Sequence, residues 1–423
     1  MPRVLGLGLP RWPAWCWVLL VHSGLLQSAV LIPRMTTSYR ALELGVPVGW
    51  LGAVAATFAL APLLAGAWLG RIVEVFGEGA TVRLAAVAIT VASAGYWLVS
   101  DALALLLTWT AVLGFGQVLG IVGAQSMIAT RIGRESRPAM FGWYGVAVSI
   151  GQVVGPAIAA RVGGSGALPD TGALYLAGGV LAVLLVMVSV VLVPPPGRHG
   201  EGRDRRGRAG FRDTLARPGV GPAIVAGLMV VAATDLLITY LPAFGAERGI
   251  AADVIAVLLA VRAAAAIASR AGFNLLLRRL GWQRLLVLAL AAAAAGLVAL
   301  PLGLPVGGLA VAMAVIGGGL GLGMPLTLVW VSDAVPAAER AQALSLRLMG
   351  TRVGQSVIPM LVGQLATAAG IAGVLWVTAG GLGAVAADTL WRRRTPDPQD
   401  PDPQDPDPQD PGQAGQGGPD PGR

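Results

Sequence analysis

The chain contains its own approximate copy. Glu43-Leu44-Gly45 opens a long apolar run that ends at Gly77, and Glu247-Arg248-Gly249 opens a matching run that ends at Gly281, each pair 204 positions apart. Farther on, Arg137, Gly151-Gln152 and Pro156 are echoed 203 positions later by Arg340, Gly354-Gln355 and Pro359. A repeat of this length, made of long apolar segments, constrains the fold more than any single motif does. It predicts two copies of one helical unit about a common axis, an arrangement suited to alternating access across a membrane.

Composition agrees. The chain is 55% hydrophobic with 12% charged residues and a mean hydropathy of +0.72, well below the roughly 25% charged of soluble domains. Its charges bunch between apolar stretches of about 20 residues, enough to cross a bilayer core as helix. Spans are expected near 12–32, 46–69, 80–99, 102–130, 138–160, 173–193, 219–242, 253–276, 283–301, 306–331, 341–366 and 370–390. The expected fold class is an all-α membrane protein, with twelve transmembrane helices in two six-helix bundles. Its parts are an N-terminal bundle (1–193), an arginine-rich cytoplasmic linker (194–218), a C-terminal bundle (219–391) and a Pro/Asp-rich tail (392–423). The tail repeats Asp-Pro-Gln-Asp-Pro, which cannot bury a core and is expected to be extended and disordered.

Arginine sets the orientation, because the chain has no lysine. One set of loops carries Arg71, Arg83, Arg131, Arg134, Arg137, Arg270, Arg278, Arg279, Arg284, Arg340 and Arg347, together with the linker and Arg392-Arg393-Arg394. The opposite set holds only Arg34, Arg40, Arg161 and Arg248. The basic side is expected to be cytoplasmic, which puts both termini inside and the protein in the plasma (inner) membrane. The basic pI near 10.8 then reflects contact with anionic lipid rather than nucleic acid. Cys16 is the single cysteine, which rules out intrachain disulfides and paired-thiol metal sites.

Enzyme chemistry is not expected. No lysine is available for a phosphate loop or a Schiff base, and His22 and His199 stand too far apart for a two-histidine metal motif. The run Gly317-Gly318-Gly319-Leu320-Gly321-Leu322-Gly323 falls inside an apolar span, where glycines serve close helix approach rather than phosphate binding. No cofactor and no metal are expected.

Two motifs resemble those of the major facilitator superfamily of secondary transporters. The loop Gly70-Arg71-Ile72-Val73-Glu74-Val75-Phe76-Gly77-Glu78-Gly79 carries the family's glycine–acid–glycine spacing. Glu74 replaces the usual Asp, and Glu78-Gly79 stands where a basic pair is usual. The second half keeps Gly281 and has Arg278 in place of the acid. The resemblance implies a cytoplasmic gating loop involving Gly70, Glu74, Gly77 and Gly281. In span five, Gly151, Gly155 and Pro156 resemble the glycine–proline pattern of exporters in the superfamily, and Gly350, Gly354 and Pro359 repeat the strip in span eleven. Either a packing strip or an exporter hinge explains these residues. The exporters' span-four arginine is absent, and Thr110 holds its place.

Polar residues at mid-membrane depth are the candidate coupling and substrate groups, because an uncompensated charge in lipid costs several kcal/mol. Asp235 and Arg262 lie at depths of about 10 and 14 Å in neighbouring spans. They are expected to form an ion pair, either exchanging a proton or cation or serving as a fixed structural link. Arg352 has no charged counterpart in the first half and suits an anionic group. His22 serves either as a hydrogen-bonded bundle residue or as a proton carrier, with Gln27 one turn beyond it. Gln117 and Gln125 share one helix face and are candidates to line a cavity. Three functions follow: proton-coupled efflux of a small organic solute, import or facilitated passage of a metabolite, and a non-transporting receptor or scaffold. The expected partners are a small-molecule substrate, protons and the lipid bilayer, with no nucleic acid and a monomeric chain.

Overall fold

The computed structural model describes residues 12–133, 136–193, 211–336 and 339–394. The expected tail from Thr395 onward and linker residues 194–210 lie outside the described residues, as do the side chains of Gly70, Arg71 and Glu74. Among the described residues regular structure is helical throughout. That follows from the apolar runs: a chain crossing hydrocarbon must satisfy every backbone N–H and C=O within itself, and a helix does so span by span.

Twelve helices long enough to cross a bilayer are present among the described residues, once two continuous runs are divided at their bends. α1 is Ala14–Glu43. Residues Leu51–Leu98 are bent at Gly77 into α2 and α3. α4 is Leu103–Arg131, α5 Arg137–Val162, α6 Thr171–Val191, α7 Val220–Glu247, α8 Ala252–Ala271, α9 Trp282–Ala299 and α10 Val306–Asp333. Residues Arg340–Arg394 are bent at Gly370 into α11 and α12. A short helix, Phe273–Leu280, carries the chain from α8 to α9 with none of its residues buried. Large apolar side chains such as Val21, Leu64, Val180 and Leu361 point outward, as the lipid-facing surface of a bundle requires.

The internal repeat is visible in the backbone itself. Gly77 has φ 77° and ψ 161°, and Gly281 has φ 72° and ψ 160°. Gly45 and Gly249 have φ of 68° and 65°. These conformations are open to glycine and strained for other residues, so each half turns its chain at the same two points with the same residue.

Small residues then fix helix packing. A methyl group added at Gly151 would overlap the Gly24 carbonyl oxygen, and one at Gly155 would sit 3.3 Å from Ser28. The Ser28 hydroxyl donates to the Gly151 carbonyl at 3.0 Å, closing α1 onto α5. Gly350 and Gly354 hold α11 against Ile224 and Leu228 of α7 in the same way. In α10, Gly317, Gly319 and Gly321 abut the backbones of Arg262, Ala289 and Ala266, so the glycine run is a packing surface. At the surface, Asp170 caps α6 by accepting from the Ala173 amide at 2.9 Å, and Glu78 binds Arg131 at 2.7 Å to tie α3 to α4.

The first span runs longer than its hydropathy suggests. The helix continues through Pro33 to Glu43, because a proline ring needs only one broken helical hydrogen bond and neighbouring helices enclose the site. Arg34, expected in an outer loop, is therefore inside α1. Arg270 and Arg347, expected in the opposite loops, belong to α8 and α11. Arg347 is buried, donating to Thr327 Oγ1 at 2.7 Å.

Candidate functional site

The two halves touch mainly at the end that carries Gly45 and Gly249. Gly52 of α2 lies so close to α11 that a methyl group there would overlap the Pro359 carbonyl oxygen. Gly49 packs in the same manner against Gly363 and Thr367. The Ala252 amide donates to the Gly166 carbonyl across the same end at 2.8 Å. Toward the other end the halves enclose a cavity of about 300 Å3, lined from both halves by residues that include Gln27, Arg34, Gln117, Gln152, Asp235, Arg262, Arg270 and Arg352. Arg270, near the last turn of α8, is exposed there.

Asp235 is the one acidic residue in this lining among the described residues. Its Oδ1 lies 2.8 Å from Arg34 Nη2, an ion pair between α7 and α1, and both side chains are at most one-tenth exposed. The pair has ionic distance without the alignment of a hydrogen bond. Gln355 of α11 supplies that alignment, donating through Nε2 to Asp235 Oδ2 at 2.6 Å. Arg352 donates through Nη1 to Gln355 Oε1 at 3.2 Å, which orients the amide toward the carboxylate. Arg34 also rests 4.1 Å above the Phe58 ring, a cation–π contact that a desolvated guanidinium favours.

The expected Asp235–Arg262 ion pair is not formed. Arg262 lines the same cavity and is buried, but it lies beyond ion-pair distance of Asp235, and its Nε has no hydrogen-bond partner among the described residues. Depth along two helices is insufficient to choose the partner, since Arg34 reaches the same level from the other half. Arg270 donates from Nη1 to Ser149 Oγ at 3.0 Å and from Nε to the Gly321 carbonyl at 3.1 Å, linking α5, α8 and α10.

Gln27 and Gln117 line the N-terminal wall, with Gln117 Nε2 3.4 Å from Gln27 Oε1. Gln125, two turns beyond Gln117, is exposed and outside the lining. His22 is fully buried in α1, also outside the lining, and neither ring nitrogen has a partner among the described residues. Gly77 and Gly281 mark equivalent turns, while Gly151, Gly155, Gly350 and Gly354 pack helices within each half. Several polar cavity residues are absent from the expected set, among them Arg34, Gln152, Arg270 and Gln355. The last has a signal in sequence, because Gln152 and Gln355 occupy repeat-equivalent positions and both line the cavity.

Two helical bundles in contact at one end, with a charged cavity between them, are the architecture of a membrane transporter. The chain belongs to the Major Facilitator Superfamily, whose family model matches residues 17–316 and 305–415. Its fold is similar to the crystal structure of the nucleoside transporter NupG, with TM-score 0.71, 15% identity and coverage of 91% of this chain and 100% of that one. It is also similar to a D-xylose-proton symporter, with TM-score 0.70, 16% identity and coverage of 88% and 96%. A bacterial homolog of the human lysosomal transporter Spinster, in an inward-facing and occupied conformation, gives TM-score 0.68, 17% identity and coverage of 91% and 98%. Comparison with curated proteins gives no match. The protein is a secondary transporter and not an enzyme.

Proposed function

We propose that the protein couples proton movement to the efflux of a small organic solute across the plasma membrane. The carrying observation is the Arg34–Asp235 pair, which joins the two halves within the central cavity. A carboxylate that bridges moving bodies links charge to conformation. While Asp235 is ionised, it attracts Arg34 and holds α1 to α7. Proton uptake removes that attraction, releases Arg34 and lets the bundles rock about the cavity. Arg262 and Arg352 share the lining with Asp235, so loss of its negative charge also changes how the cavity holds a charged solute. The arginine-rich end, toward which the cavity lies, is taken as cytoplasmic, with both termini on that side and the chain acting as a monomer.

Efflux is the direction favoured by the exporter-like Gly151, Gly155 and Pro156 pattern. Uptake or facilitated passage of a metabolite is the second reading, favoured by the absence of the exporters' span-four arginine, where Thr110 stands. Cells with and without the gene, loaded with or exposed to a labelled compound library, separate the two by the sign of net flux. Proton-coupled efflux predicts gene-dependent loss of label that a protonophore abolishes. Gene-dependent accumulation, or efflux indifferent to the protonophore, would overturn it.

A further inference from the structure

From the charge of the cavity we infer that the transported solute is a small organic anion, held chiefly by Arg262 and Arg352; this rests on the proposed transport function. The lining contains four arginines, Arg34, Arg262, Arg270 and Arg352, against the single carboxylate of Asp235, a net charge of plus three. That carboxylate is already engaged by Arg34 and Gln355. Among the described residues Asp235 is the sole carboxylate of the lining, so four guanidinium groups share one negative charge.

Buried charge without a counter-ion is costly, and excess positive charge between low-dielectric walls concentrates anions from solution. Arg262 has the more telling geometry. It is buried, it lines the cavity, and its Nε lacks a partner among the described residues. A guanidinium presents parallel N–H groups that match the paired oxygens of a carboxylate or the oxygens of a phosphate ester. Arg352 spends one donor on Gln355 and keeps others for a ligand. Apart from Arg34, which Asp235 engages, the opposite wall is uncharged and hydrogen-bonding, with Gln27, Gln117 and Gln152. The cavity therefore suits a molecule with an acidic group toward α8 and α11 and hydroxyl or amide groups toward α1, α4 and α5. Its volume of about 300 Å3 lies at the small end of ligand pockets, which favours a metabolite over a bulky drug.

The test is equilibrium binding to the purified full-length protein in detergent, with no proton gradient. The probes are malate and glycerol 3-phosphate as anions, glycerol as the neutral body, and choline as a cation of similar size. Thermal stabilisation and titration calorimetry should show binding of at least one anion and neither control. Arg262→Gln and, separately, Arg352→Gln should each weaken that anion by about tenfold to a hundredfold, as expected for a lost charge-assisted hydrogen bond. Arg262→Lys, which keeps the charge, should retain part of the affinity. The two separate sites guard against one variant that fails to fold. Equal or stronger binding of glycerol or choline, no binding across a wider panel of carboxylates and phosphate esters, or unchanged anion affinity in both glutamine variants would each overturn the inference. Anion binding by a protein that moves no solute would uphold this site and sink the transport proposal. Proton-linked flux of an uncharged solute would do the reverse.

Discussion

Arg34 and Asp235 face each other at 2.8 Å from opposite halves of the repeat. Their separation depends on how two bundles are placed, so the pair reports on that placement as no contact within one bundle can. A hydrogen bond donated by the Gln355 amide keeps the carboxylate aimed.

Asp235→Asn keeps the side chain's size and removes its charge. The variant should fold and reach the membrane in normal amounts yet lose pH-gradient-driven flux in proteoliposomes, while solute counterflow without a gradient persists. Undiminished gradient-driven flux would rule out Asp235 as the coupling group.

Removing the other partner should cost stability as well. Arg34→Gln takes away the cation at ion-pair distance from Asp235, at a cost of about 3 kcal/mol. Adding Asp235→Asn should restore most of that loss. A double-mutant cycle in denaturation should give a coupling of at least about 1 kcal/mol. Strictly additive effects would show that the pair contributes nothing to holding the halves together.

Closure at the Gly45 and Gly249 end depends on the absence of a side chain at Gly52. Gly52→Val places bulk against the Pro359 carbonyl and should prop that end open without disturbing either bundle's own packing. Spin labels on the Gly45 and Gly249 turns should move apart, and transport should fall. An unchanged label distance would show that this contact does not set the closed end.

The turn glycines should separate from the helical ones by conformation alone. Gly281→Ala forces a side chain into φ 72° and should destabilise by about 1–3 kcal/mol. Gly79→Ala, in a helix with open space around it, should be neutral or stabilising by up to about 1 kcal/mol. Thermal denaturation of the two variants side by side tests the contrast, and equal effects would refute it.

Most of the architecture is legible in the chain alone. Each of the twelve expected apolar runs falls on a helix, and the 204-residue offset pairs Gly77 with Gly281, whose backbones do match. The readable features share a cause: they are properties of one residue or one helix turn. The first helix reads as ending at Pro33-Arg34 because a proline and an arginine together look like a loop. Burial among neighbouring helices, which hydropathy does not report, keeps the pair helical.

The candidate site divides along the same line. Asp235, Arg262, Arg352, Gln27 and Gln117 stand out because they are polar residues in apolar spans, and all of them reach the cavity. His22 and Gln125 stand out equally and do not line it, since helix rotation decides which face a side chain takes. The sequence by itself determined the repeat, the spans and the glycine turns, because each is encoded locally in hydropathy and backbone freedom. Only the tertiary structure decided that Asp235 pairs with Arg34 rather than Arg262 and that the halves close at the Gly45 and Gly249 end. Both depend on distances between helices far apart in the chain, and those distances are set by packing across the whole bundle.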